Sequence, residues 1–179
     1  MLNEIICAGF GGQGVLTAGK IIVYAAYKKG LKVTWFPSYG NEMRGGSANC
    51  NVVISDQRIA SPYANHPDTL IELNDPATDH FEPMMKSGGY LFINSSLLNP
   101  AREFRSDITL IKAPVTGIAQ NLKNEHAANI CMLGQWVKVL QMFSKDEFVC
   151  SMSEYFDQLG KGRYNAKNAE AFEAGYAFQ

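Results

Sequence analysis

Two glycine-rich segments hold the residues best suited to chemistry. The first, Gly9-Phe10-Gly11-Gly12-Gln13-Gly14, fits G-x-G-x-x-G and lies between a short apolar run and a long apolar stretch. Glycines there let the chain turn sharply and expose amides, and the start of a helix favours an anion such as a pyrophosphate. Three uses are open: an anion or nucleotide moiety, a complete NAD site, or a turn needed only for close packing. A dinucleotide site also uses an acidic residue about twenty positions on, yet Val33-Thr34-Trp35-Phe36-Pro37-Ser38 brings no carboxylate before Glu42. The second segment is Ser38-Tyr39-Gly40-Asn41-Glu42-Met43-Arg44-Gly45-Gly46-Ser47. Tyr39, Asn41, Glu42 and Arg44 supply polar and charged groups, and Gly45-Gly46 can present consecutive amides as an anion-binding nest. An ion-paired surface loop is the alternative.

Other chemistry finds little support. His66, His80 and His126 lack metal-ligand spacing and read as solvated or capping residues. Cys7, Cys50, Cys131 and Cys150 form no C-x-x-C pair; Cys7, Cys131 and Cys150 stand in apolar surroundings and are expected to pack as small hydrophobes. There is no Gly-x-Ser-x-Gly elbow, and no Lys-Ser or Lys-Thr follows Gly14 to complete a phosphate-binding loop. No catalytic residue and no metal site is assigned.

The elements that must position the glycines follow from the apolar pattern. Residues 4–10 read as a strand, 14–30 as a buried helix closed by Lys28-Lys29-Gly30, and 31–37 as the return strand of a β-α-β unit. Further strands are expected at 48–55, 69–73, 89–94 and 107–113, with a helix over 75–86 that has Pro76 in its first turn. Helices are expected at 115–122, 127–143, 145–159 and 166–176. This alternation predicts a three-layer α/β sandwich around a largely parallel, Rossmann-like sheet, with additional C-terminal helices. Both glycine segments then face one crevice at the carboxyl ends of the strands.

At 179 residues the chain suits a single domain spanning 1–179, long enough to bury a sizeable core. With 16 Lys+Arg against 17 Asp+Glu, no basic surface for nucleic acid is expected. The start, Met1-Leu2-Asn3-Glu4, has no basic leader, and no apolar run is long enough to span a bilayer. A cytoplasmic protein without membrane insertion is the expectation.

The motif set resembles the gamma subunit of the thiamine-diphosphate-dependent 2-oxoacid:ferredoxin (acceptor) oxidoreductases, which act on pyruvate, 2-oxoglutarate, ketoisovalerate or indolepyruvate. The resemblance rests on Gly9 to Val15, Tyr39 to Gly46, Asn94-Ser95-Ser96, Ala128-Asn129, Leu133-Gly134, Lys167-Asn168 and Ala171-Phe172-Glu173-Ala174-Gly175, in the family's order. It implies a complex that decarboxylates a 2-oxoacid, transfers the acyl group to coenzyme A and passes electrons to ferredoxin or another acceptor. Alpha and beta subunits would supply thiamine diphosphate and Mg, and a ferredoxin-like delta subunit the iron–sulfur clusters. This chain, inactive alone, would have a structural or coenzyme-A-assisting role through Gly9, Gly11, Gly12, Gln13, Gly14, Tyr39, Asn41, Glu42, Arg44, Gly45 and Gly46. A short, free-standing gamma chain would suit the four-subunit 2-oxoglutarate or branched-chain types, and 2-oxoglutarate is the expected substrate. A stand-alone Rossmann-like nucleotide-binding protein or NAD(P)-dependent reductase stays open as the alternative.

Overall fold

The computed structural model describes residues 1–39 and 46–179. Six strands form one sheet: β1 (Leu2–Phe10), β2 (Lys32–Tyr39), β3 (Ser47–Ser55), β4 (Thr69–Glu72), β5 (Tyr90–Asn94) and β6 (Thr109–Ala113), in the order β2-β3-β1-β4-β5-β6. Pairs β1–β4, β4–β5 and β5–β6 are parallel, whereas β3 is antiparallel to both β1 and β2. The sheet is therefore mixed, with one strand opposing five.

That reversal differs from the expected β-α-β return. Strand β2 runs parallel to β1 but not beside it, because β3 lies between them. The link from Tyr39 to Ser47 is too short for a parallel crossover and long enough for a hairpin. Strand β2 also continues past its expected end at Pro37. The Gly11 amide donates to the Gly46 carbonyl at 2.9 Å, which fixes the ladder phase so that Cys50 directs its backbone groups to Cys7. Pro37, opposite Cys50, then turns its nitrogen to the free edge, where a missing N–H breaks no ladder bond and blunts the edge.

Alternation sorts the strand residues between two faces. Ile5, Cys7, Cys50, Val52, Ile54, Ile71 and Phe92 pack under α1 (Val15–Lys28), α3 (Val115–Asn121), α4 (Ala128–Leu140), α5 (Lys145–Gln158) and α6 (Asn165–Ala177). On the other face Ile6, Ala8, Leu70 and Leu91 pack with Ala64, Met85 and α2 (Asp75–Phe81). The expected 75–86 helix ends at Phe81 and passes into a 3₁₀ turn at Glu82–Met84, since Pro83 carries no N–H to continue it. Helix α4 stops at Leu140 rather than at residue 143, where Gln141 adopts φ 51°. Ser144 and Glu147 then start α5 with a reciprocal capping box.

Two glycines let α4 and α6 cross closely. A Cβ on Gly134 would stand 2.6 Å from the Tyr176 nitrogen, and one on Gly175 would stand 2.7 Å from the Cys131 Cα. Cys7 and Cys131 are buried as expected, and Cys50 is buried with them, whereas Cys150 is exposed, against the expectation of core packing. Cys150 points outward from α5 while its neighbours Phe148, Ser151 and Met152 turn inward.

Candidate functional site

The first glycine segment caps the carboxyl end of β1 and begins α1. Gly12 and Gly14 have φ of 101° and 78°, a conformation that side chains with a Cβ rarely adopt. A methyl group added at Gly12 would meet nothing within 4 Å, so its backbone is open to approach. Gly9 is glycine for packing instead: a Cβ there would stand 2.6 Å from Gln13 Oε1 and 3.2 Å from Leu73 Cβ. No side chain caps α1 and no acidic residue stands in its first turn, which leaves the positive end of the helix uncompensated by this chain's own groups there.

Gln13 turns its amide inward. Its Oε1 accepts from the Phe10 amide at 2.6 Å and from Asn74 Nδ2 at 3.2 Å, while its Nε2 donates to the Leu73 carbonyl at 3.1 Å. Asn94, at the end of β5, donates to the same Leu73 carbonyl at 3.3 Å and to Thr116 Oγ1 at 2.8 Å. Asn74 Oδ1 caps α2 through the Ala77 amide at 3.0 Å. The loops after β1, β4, β5 and β6 are thus tied at one hub, which explains why Gln13 and Asn94 occupy these positions.

Two cavities open around Gly12 and Gly14. One, about 180 Å³, is lined by Gly12, Gln13, Asn94, Thr116, Glu125 and His126. The other, about 420 Å³, is lined by Gly14, Thr17, Asn129, Lys161, Arg163 and Tyr164 among others. Asn129 donates from Nδ2 to the Gly14 carbonyl at 3.0 Å, and its buried Oδ1 has no partner among the described residues. An unpaired buried acceptor beside two cations and a helix start suits a ligand carrying both N–H or O–H donors and negative charge. Lys161 and Arg163 gave no sequence signal, because they lie far along the chain in a polar turn.

The second glycine segment meets the first through the Gly11–Gly46 hydrogen bond. Tyr39 ends β2 opposite Ala48; Asn41, Glu42, Arg44 and Gly45 lie outside the described residues. His126 is exposed at the cavity mouth, His66 is exposed, and His80 stacks edge-on against Phe81 at 4.6 Å. Among the described residues no three His, Cys, Asp or Glu are grouped to hold a metal ion. No helix among them is long and apolar enough to cross a membrane.

The geometry weakens the dinucleotide reading. Strand β2 carries no acidic residue, and with β3 interposed its end stands two ladder spacings, about 9–10 Å, from β1. The ribose-binding position of a nucleotide-binding β-α-β unit is therefore both displaced and uncharged.

The profile of the pyruvate ferredoxin/flavodoxin oxidoreductase family matches residues 4–178. The chain belongs to that family. It is 36% identical over 178 residues to the 2-oxoglutarate synthase subunit KorC of Methanocaldococcus jannaschii, covering 98% of this chain and 93% of KorC. It is 34% identical over 168 residues to the ketoisovalerate oxidoreductase subunit VorA of Methanothermobacter marburgensis, covering 94% of this chain. This family member spans only about a third of that VorA, 34% of its length. The gamma subunit of a keto/oxoacid ferredoxin oxidoreductase from Geobacter sulfurreducens superposes with a TM-score of 0.79 at 27% identity, covering 97% of this chain and 96% of that one. The fold also matches 30% of a 2-oxoglutarate:ferredoxin oxidoreductase chain from Magnetococcus marinus, solved with 2-oxoglutarate, coenzyme A and succinyl-CoA bound, with a TM-score of 0.86, 24% identity and 98% of this chain covered. In fold this family member is similar to that Geobacter gamma subunit along nearly the whole of both chains.

Proposed function

We propose that the chain is the gamma subunit of a cytoplasmic 2-oxoacid:acceptor oxidoreductase complex that converts 2-oxoglutarate, coenzyme A and an oxidised acceptor to succinyl-CoA, carbon dioxide and the reduced acceptor. The observation that carries this reading is the match to KorC along 93% of that subunit's length. Thiamine diphosphate with Mg, supplied by alpha and beta partners, provides the decarboxylation chemistry; iron–sulfur clusters on a ferredoxin-like partner carry the electrons. This chain contributes no catalytic residue.

Its own residues bind and orient coenzyme A. The amides of Gly12 and Gly14 and the start of α1 face the anionic end of the molecule, with Lys161 and Arg163 supplying charge; Gly11 ties the loop to Gly46 instead, and Arg44 is assigned to the same site from its motif. Asn129 Oδ1 accepts a hydrogen bond from it. Gln13 positions the loop from behind through its contacts with Phe10, Leu73 and Asn74. Tyr39, Asn41, Glu42, Gly45 and Gly46 are assigned to the same site from their motif in the sequence, and Gly9 keeps the loop close to β4. The bound coenzyme A in the structurally similar Magnetococcus enzyme supports this assignment.

Titrating coenzyme A into the purified complex tests it. Loss of one charge-assisted hydrogen bond is worth about 1.5–3 kcal/mol, or roughly 10- to 150-fold in Kd. Arg44→Ala and the double substitution Lys161→Ala with Arg163→Ala should each weaken binding by about that much, with the KM for the 2-oxoacid unchanged. Unchanged coenzyme A affinity in both variants would remove this crevice from the site.

A further inference from the structure

On the α2 side of the sheet, beneath the crevice, β4 ends in Glu72. Its carboxyl group is fully buried, and neither oxygen has a hydrogen-bond partner among the described residues. The flanking strands place only Ala8 and Ile93 at its register. Thr78 of α2 lies against it but directs its hydroxyl to the Asn74 carbonyl at 3.5 Å. Among the described residues, the charged groups acting on it are Arg102 on the segment before β6, Glu82 in the turn after α2 and Asp79 on α2.

Arg102 is shared among acids. Its Nη1 donates to Asp75 at 2.9 Å and Asp79 at 2.7 Å, and its Nη2 to Glu82 at 3.2 Å. Its Nε is buried without an acceptor. Glu82 is also held by the Arg105 amide at 2.7 Å, and the Arg105 side chain pairs with Asp107. A buried acid lacking a donor and a buried guanidinium N–H lacking an acceptor give this cluster two arrangements. With Glu72 protonated, Arg102 serves Asp75, Asp79 and Glu82. Once ionised, Glu72 requires a charge-assisted donor, and Arg102 Nε–H is the one not engaged. Asp79, with 75% of its side chain exposed, gives up its share to water at least cost.

The consequence reaches the crevice through two residues. Leu73, next to Glu72, offers the carbonyl that holds Gln13 and Asn94; Asn74 follows and caps α2. We propose that Glu72 and Arg102 form a proton-operated joint under the glycine loop: release of the Glu72 proton to solvent re-pairs Arg102, shifts the end of β4 and loosens the Gln13–Leu73–Asn94 hub. Burial of Glu72 raises its pKa to about 8, which sets this exchange just above neutral pH. The joint goes beyond the coenzyme A reading and stands whichever ligand the crevice takes.

The test follows the Glu72 carboxyl carbon and the Gln13 and Asn94 side-chain amides by NMR in the full chain between pH 5.5 and 9.5. All three should shift with one midpoint. Glu72→Gln, an isosteric mimic of the neutral acid, should flatten the amide profiles, and Glu72→Met should do the same without any titrating or hydrogen-bonding group. His80→Gln and His126→Gln should leave the midpoint in place. Titration of Glu72 below pH 6, amide shifts that persist in both Glu72 variants, or a midpoint that moves with either histidine overturns the proposal.

Discussion

Replacing the glycines where α4 and α6 cross separates helix propensity from packing. In a helix interior Ala is better than Gly by up to about 1 kcal/mol, so open space predicts a gain. Gly117 in α3 has such space: a Cβ there meets nothing nearer than Ser96 Oγ at 3.7 Å. Gly117→Ala should stabilise the chain by up to about 1 kcal/mol. At Gly175 the methyl would overlap the Cys131 carbonyl and stand 2.7 Å from the Cys131 Cα, and at Gly134 it would stand 3.1 Å from the Gly175 carbonyl carbon. The obstruction is backbone in both cases, so no rotamer change relieves it and the helices must part. Overpacking of this kind costs about 1–3 kcal/mol or more, which outweighs the propensity gain. The expected result is a loss of about 1–2 kcal/mol for Gly175→Ala, or a fall of roughly 2–8 °C in Tm for a domain of this size. Urea unfolding with a constant m-value measures it. A Gly175→Ala protein as stable as Gly117→Ala would refute the close crossing, and with it the structural account of the Leu133-Gly134 and Ala174-Gly175 motifs.

Two further outcomes concern the hub and the buried acid. Gln13→Ala strands the Phe10 amide and the Asn74 side chain, and should cost about 1–3 kcal/mol with faster hydrogen exchange at Phe10, measured by mass spectrometry or NMR. Glu72→Gln should match the parent near pH 4 and exceed it by about 3 kcal/mol at pH 7. The sign follows because burial raises the folded pKa to about 8: the parent loses stability as pH climbs from the unfolded value of about 4.3 toward 8. Equal urea midpoints at pH 7 would contradict it.

Much of the scaffold was legible because strand and helix periods are local. The apolar run before Gly9, the turn at Gly14 and the helix closed by Lys28 each carried their own signal. The position of β3 was not legible, since the choice between hairpin and crossover depends on the pairing of Ser47–Ser55 with both β1 and β2. Nor was the role of Gln13, which reads as a binding residue in the motif but spends its amide on Phe10, Leu73 and Asn74. Asn129, Lys161 and Arg163 join the crevice only through the packing of α4 and the turn before α6. Glu72 gave no signal because a single acid in an apolar run marks neither exposure nor burial until its neighbours are placed.

The central claim, that this chain works as one subunit of a 2-oxoacid oxidoreductase, meets its most direct test in native purification. Capture through a tag on the genomic copy, followed by mass spectrometry and a 2-oxoglutarate-dependent, coenzyme-A-dependent reduction assay, should recover thiamine-diphosphate-binding partners, a ferredoxin-like protein and the activity together. A chain recovered alone, binding NAD and leaving that activity with other fractions, would contradict the account.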